Sequence, residues 1–85
     1  GYLGKPEQAS ETLEAALADA RRAALGPQVE ASLLTELGNI YDDRLAFTEA
    51  EQAFSAALSL QRLHGTPLDV ARAQSRVGLI QIRLD

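Results

Sequence analysis

Apolar residues along this chain fall at helical spacings, and no segment alternates with polar residues at period two, so helix is expected throughout and strand nowhere. The pattern is plainest near the end. There Val70, Ala73, Val77, Ile80 and Leu84 form one stripe at three-and-four spacing, with Leu79 and Ile82 off it. Turn residues punctuate the chain at Gly4-Lys5-Pro6, Leu25-Gly26-Pro27, Arg44 to Thr48, and His64-Gly65-Thr66-Pro67. Glycine ends helices and proline begins them, so Gly-Pro and Gly-Thr-Pro read as a stop followed by a start. Four helices follow, at about 6–24, 27–43, 48–64 and 67–84. Thr66-Pro67-Leu68-Asp69 supplies an N-cap, a first-turn proline and an early carboxylate, and Thr48-Glu49-Ala50-Glu51 fits a capping box.

The chain repeats itself. A shift of forty residues lays Pro27 on Pro67, Ala31 on Ala71, Leu37 on Val77, Gly38 on Gly78 and Ile40 on Ile80. A shift of forty-one lays Ala9 on Ala50, Leu13 on Phe54, Ala15-Ala16-Leu17 on Ala56-Ala57-Leu58, and Arg21 on Arg62. The one-residue change falls in the Leu25-Gly26 turn, where an extra residue is harmless. Alanine coincidence alone does not also align the proline, the glycine and both turns. The first helix thus repeats as the third, and the second as the fourth.

Within the central repeat, Leu34-x-x-Leu37-Gly38-x-x-Tyr41 precedes Ala50-x-x-x-Phe54-x-x-Ala57. Gly38, Ala50 and Ala57 let two antiparallel helices approach closely, while Leu34, Leu37, Tyr41 and Phe54 fill the space between them. A glycine inside a helix costs about 1 kcal/mol relative to alanine, so close packing is the expected compensation. This constellation resembles the signature of the tetratricopeptide repeat family. Leu3-Gly4 with Glu7-Gln8-Ala9 looks like the turn and second-helix start of a preceding repeat, with Leu13 and Ala16 in its packing slots. Val77-Gly78 takes the Leu-Gly slots of a following one. The resemblance implies an all-α, antiparallel helix-hairpin solenoid. Residues 1–25 hold the second helix of a partial repeat, 27–65 a full repeat, and 67–85 the first helix of the next.

The chain departs from the pattern in places. Leu34 replaces the usual tryptophan, Leu45 stands where a turn glycine is common, and Gln81 replaces the tyrosine of the last half-repeat. The period of forty exceeds the usual length of about thirty-four. That longer form is similar to repeats of large bacterial signal-transduction ATPases and transcriptional regulators. Seven of the eight basic residues are arginine, which also hints at a high-GC bacterial gene.

Composition changes the picture little. With 85 residues, 46% hydrophobic and 24% charged, the chain makes one small domain at most. The formal charge of −4 disfavours a phosphate-backbone binder. Helix 67–84 superficially resembles the first helix of a helix-turn-helix, but no recognition helix follows, and Glu7, Glu11, Glu14 and Asp19 repel phosphate. Nucleic acid is therefore not an expected partner of this segment. No apolar run reaches the ~18–20 residues of a membrane span, and no signal peptide is visible, so a cytoplasmic setting without membrane contact is expected. Cysteine and methionine are both absent. The first excludes a disulfide framework; the second, an initiator included, suggests a piece of something longer.

Catalytic chemistry finds little support. His64 is the only histidine and sits at a helix end, where it suits the dipole. It has no second histidine or cysteine with which to hold a metal. Asp42-Asp43 reads as a solvated loop edge or, alternatively, an acidic spot facing a partner. Gly65-Thr66-Pro67 lacks the lysine and further glycine of a phosphate loop. We therefore expect no catalytic residue, no metal and no cofactor, and a protein-interaction module rather than an enzyme. The alternative is a structural spacer or self-association segment of a larger regulator.

In the resembled family the first helix of each repeat lines a groove. That implies Ser32, Thr35, Asn39 and Asp42 on one wall, and Arg72, Ser75, Arg76, Leu79, Ile82 and Arg83 on the other or its rim. The expected partner is a protein or peptide. Asn39, Arg72 and Arg76 are similar to part of the carboxylate clamp of chaperone-binding members. Thr35 and Glu36 stand where its supporting lysine and asparagine belong, so a full clamp is not expected. The stripe on the last helix, with Leu79 and Ile82 beside it, also suggests a homo-oligomer through that helix, unless Val77 and Ile80 turn inward.

Overall fold

The computed structural model describes residues 5–85, which form α1 (Lys5–Arg22), α2 (Pro27–Asp43), α3 (Phe47–His64) and α4 (Pro67–Leu84). Among the described residues there is no strand, and the fold is all-α as the spacing predicts. The Leu3-Gly4 turn lies outside the described residues. No described helix is long and apolar enough to cross a membrane. Each helix packs chiefly on its neighbours in sequence, α1 on α2, α2 on α3 and α3 on α4. Nearest-neighbour packing of this kind is what a helical solenoid needs. Here it gives a slab of 39 × 35 × 15 Å.

Local chemistry sets the helix ends. Pro27 and Pro67 occupy first turns, where a missing N–H costs nothing. The Thr66 hydroxyl accepts the Asp69 N–H at 3.2 Å, and the Asp69 carboxylate accepts the Thr66 N–H at 3.0 Å. This reciprocal cap satisfies two donors that would otherwise be orphaned. The capping box expected at Thr48–Glu51 does not form. Helix α3 starts earlier, at Phe47, with Ala46 as N-cap and no side-chain cap bond. Phe47 packs against Ala50, Phe54 and Ile80. Drawing it into the helix puts Thr48 inside the first turn, out of the cap position.

The longer α1–α2 connection absorbs the odd residue of the repeat. Gly26 adopts φ 108 there, a conformation suited to glycine. Leu45, at the position where the resembled motif commonly has glycine, is itself left-handed at φ 64.

Two clusters make the core. Leu17, Leu34, Leu37, Ala53 and Ala57 join α1, α2 and α3. Ala50, Phe54 and Ile80 join α3 to α4, and Tyr41 packs against both groups. Gly38 lies directly against Phe54: a Cβ at that position would stand 2.5 Å from ring Cδ1 and 2.8 Å from Cζ. Close approach therefore explains this glycine. Gly78, in the repeat-equivalent slot, has no such neighbour: an added Cβ there would meet nothing within 4 Å. Where α2 turns Leu34, Gly38 and Tyr41 toward the core, α4 carries Gln74, Gly78 and Gln81 at the repeat-related positions, and both glutamines are exposed.

The α4 stripe is mostly internal. Ile80 is only 2% exposed, Ala73 is buried, and Val77 is half-buried against Phe54 and Ile80. The inward alternative is the one adopted. Leu79 (62% exposed), Ile82 (72%) and the more sheltered Leu84 remain outside.

Candidate binding groove

Helices α2 and α4 are related by the forty-residue repeat, and α3 lies between them in sequence and packs against both. Because α3 approaches α2 closely at Gly38, the Phe54 ring reaches the space between α2 and α4. A depression of about 400 Å³ opens there. From α2 it takes Asn39 and Asp42; from α3, Phe54. From α4 it takes Arg72, Ser75, Arg76, Leu79, Ile80 and Arg83. Their spacing on α4 is three and four, which keeps them on one face. A second depression, of about 180 Å³, is lined by Thr35, Gln61, Asp69 and Ala73 and shares Arg72 and Arg76 with the first.

The charged groups divide into tied and untied. Arg83 Nη1 donates to Asp42 Oδ1 at 2.6 Å, joining the C-terminal ends of α4 and α2, and its guanidinium lies 5.8 Å from the Phe47 ring centroid. Asp42 is thus half-buried in an ion pair rather than a solvated loop edge, while Asp43 is exposed. Among the described residues, Arg72 and Arg76 have no carboxylate within ion-pair distance. Asp69 lines the smaller depression but accepts the Thr66 N–H.

Of the residues expected on the groove walls, Asn39, Asp42, Arg72, Ser75, Arg76, Leu79 and Arg83 line the larger depression. Thr35 lines the smaller, and its hydroxyl donates to the Ala31 carbonyl at 2.8 Å. Ile82 and Ser32 are exposed and line neither. Phe54 is expected in the core and Ile80 in the α4 stripe, yet both also form the floor. Their sequence signal was the Gly38–Phe54 pairing, which places a large ring at the α2–α4 seam.

Away from the groove, polar contacts fasten α1 to α2. The Tyr41 hydroxyl donates to the Glu14 carboxylate. That bond first, and burial and the carboxylate charge after it, push the phenol up to about 12. Arg44 Nη1 donates to the Ser10 hydroxyl at 3.1 Å, and the buried Ser10 in turn donates to the Glu7 carbonyl at 2.9 Å. His64 is exposed in the last turn of α3. Among the described residues, no three His, Cys, Asp or Glu side chains are grouped to hold a metal ion.

No protein family, curated protein or solved structure matches the chain.

Proposed function

We propose that this chain is a tetratricopeptide-like, non-enzymatic interaction module that holds an extended peptide or protein segment between α2 and α4. One observation carries the reading. The groove combines an apolar floor, Phe54 and Ile80, with exposed Leu79 and two arginines that have no carboxylate partner among the described residues. An apolar surface with a few convergent polar groups is the usual make-up of a recognition site. The repeat supports the same reading in part, since Thr35 and Asn39 of α2 and their repeat equivalents Ser75 and Leu79 of α4 all line the two depressions.

The test is site-specific photo-crosslinking. A photoreactive residue at Ser75, inside the groove, should capture a discrete protein from an extract of the source organism. The same residue at exposed Ser59, on α3 and outside both depressions, should not. Equal capture at both positions, or capture at Ser59 alone, would favour the spacer reading.

A further inference from the structure

The groove's charge runs against that of the chain. The whole chain carries a formal −4, yet three arginines and one aspartate line the larger depression. Asp42, the aspartate, is already neutralised by Arg83. Two positive charges, Arg72 and Arg76, remain one helical turn apart, so a single carboxylate can lie between them.

Their position along the groove matters as much as their sign. Arg72 and Arg76 are common to both depressions and therefore stand at the divide. Beyond it on one side lie Phe54, Leu79 and Ile80; on the other lie Thr35, Gln61 and Asp69. From Asp69 to Arg83 the α4 axis runs about 21 Å, at ~1.5 Å per residue. An extended segment of roughly six residues covers that length. A chain that fills both depressions passes its middle, not its end, over the two arginines.

We infer that the groove selects an extended segment with an internal aspartate or glutamate flanked on one side by a large apolar side chain. The carboxylate sits between Arg72 and Arg76, the apolar group rests on Leu79 and Phe54, and small polar residues occupy the smaller depression. This rests on the interaction reading above and adds the chemistry of the partner to it.

A peptide array on the full chain tests it. Peptides of roughly eight residues, acetylated and amidated, carry one Glu and one Leu at varied positions in a Gly/Ser background. Matched sets replace Glu by Lys, replace Leu by Ser, or leave the C-terminus free. Fluorescence anisotropy should find the tightest binding for neighbouring Glu and Leu, weakening with added salt. Arg72→Gln with Arg76→Gln should lower that affinity about tenfold, the scale of losing charge-assisted bonds. Leu79→Ser should remove the advantage of Leu over Ser. Thermal unfolding confirms that these surface variants fold. Equal binding of the Lys set, or no effect of the arginine substitutions, would overturn this inference and leave the interaction reading standing. Binding only by peptides with a free C-terminus would also overturn it, since the carboxylate would then be terminal. No binding by any set would overturn both.

Discussion

Two glycines one repeat apart, Gly38 and Gly78, sit in unlike surroundings, and a single methyl group distinguishes them. At Gly38 it would press into the Phe54 ring, which is itself held between Gly38 and Ile80. We expect Gly38→Ala to lower stability by about 1–3 kcal/mol, and Gly38→Leu by more. At Gly78 the methyl would enter open space, so Gly78→Ala should raise stability by about 0.5–1 kcal/mol through helix propensity. Urea denaturation of both variants checks the pair; equal effects at the two positions would contradict the packing described. Tyr41 carries a second residue-scale prediction. Its phenol is pushed up to about 12 in the folded chain, against about 10 when unfolded. The raised value favours folding fully below pH ~10, and that contribution fades as pH rises through about 12. Unfolding midpoints measured from pH 7 upward should fall across that window, and fall less for Tyr41→Phe. Parallel curves would mean that the Tyr41–Glu14 bond is absent in solution.

At the scale of elements, the two threonines near helix starts are unequal. Thr66→Ala should cost about 1 kcal/mol, because it removes a formed N-cap. Thr48→Ala should be near neutral, because no cap bond forms there. Differential scanning calorimetry separates them. This pair also marks how far the helices were legible in the sequence. Proline and glycine placed the starts of α2 and α4 correctly, because their backbone constraints act locally. The start of α3 was misplaced, because Phe47 is drawn inward by side chains on α3 and α4 that no local motif registers. Gly78 differs from Gly38 for the same kind of reason. Its repeat partner is packed by Phe54, whereas no described helix lies over Gly78.

At the scale of the molecule, the repeat made the α2–α4 groove legible only in part: Thr35 and Asn39 line it together with their equivalents Ser75 and Leu79, whereas Ser32 and Glu36, the equivalents of Arg72 and Arg76, do not. Its floor was not legible: Phe54 and Ile80 serve core and groove together, whereas spacing assigns Phe54 to the core and Ile80 to the α4 stripe. The inward turn of Ile80 also removes much of the apolar stripe on which association through α4 rests. Ile80→Glu should therefore unfold the chain rather than dissociate it, whereas exposed Ile82→Glu should leave stability nearly unchanged. Circular dichroism with sedimentation at several concentrations distinguishes these outcomes. If Ile82→Glu instead converts an oligomer to monomer, the surviving apolar face is enough for self-association. Whether the chain acts through the groove between α2 and α4 is decided by mapping backbone amide shifts while titrating the tightest Glu–Leu peptide. Action through the groove concentrates the perturbations at Asn39, Arg72, Ser75, Arg76 and Leu79. Perturbations centred instead on the exposed Leu63 and Leu68 at the α3–α4 turn, with the groove unmoved, would contradict it.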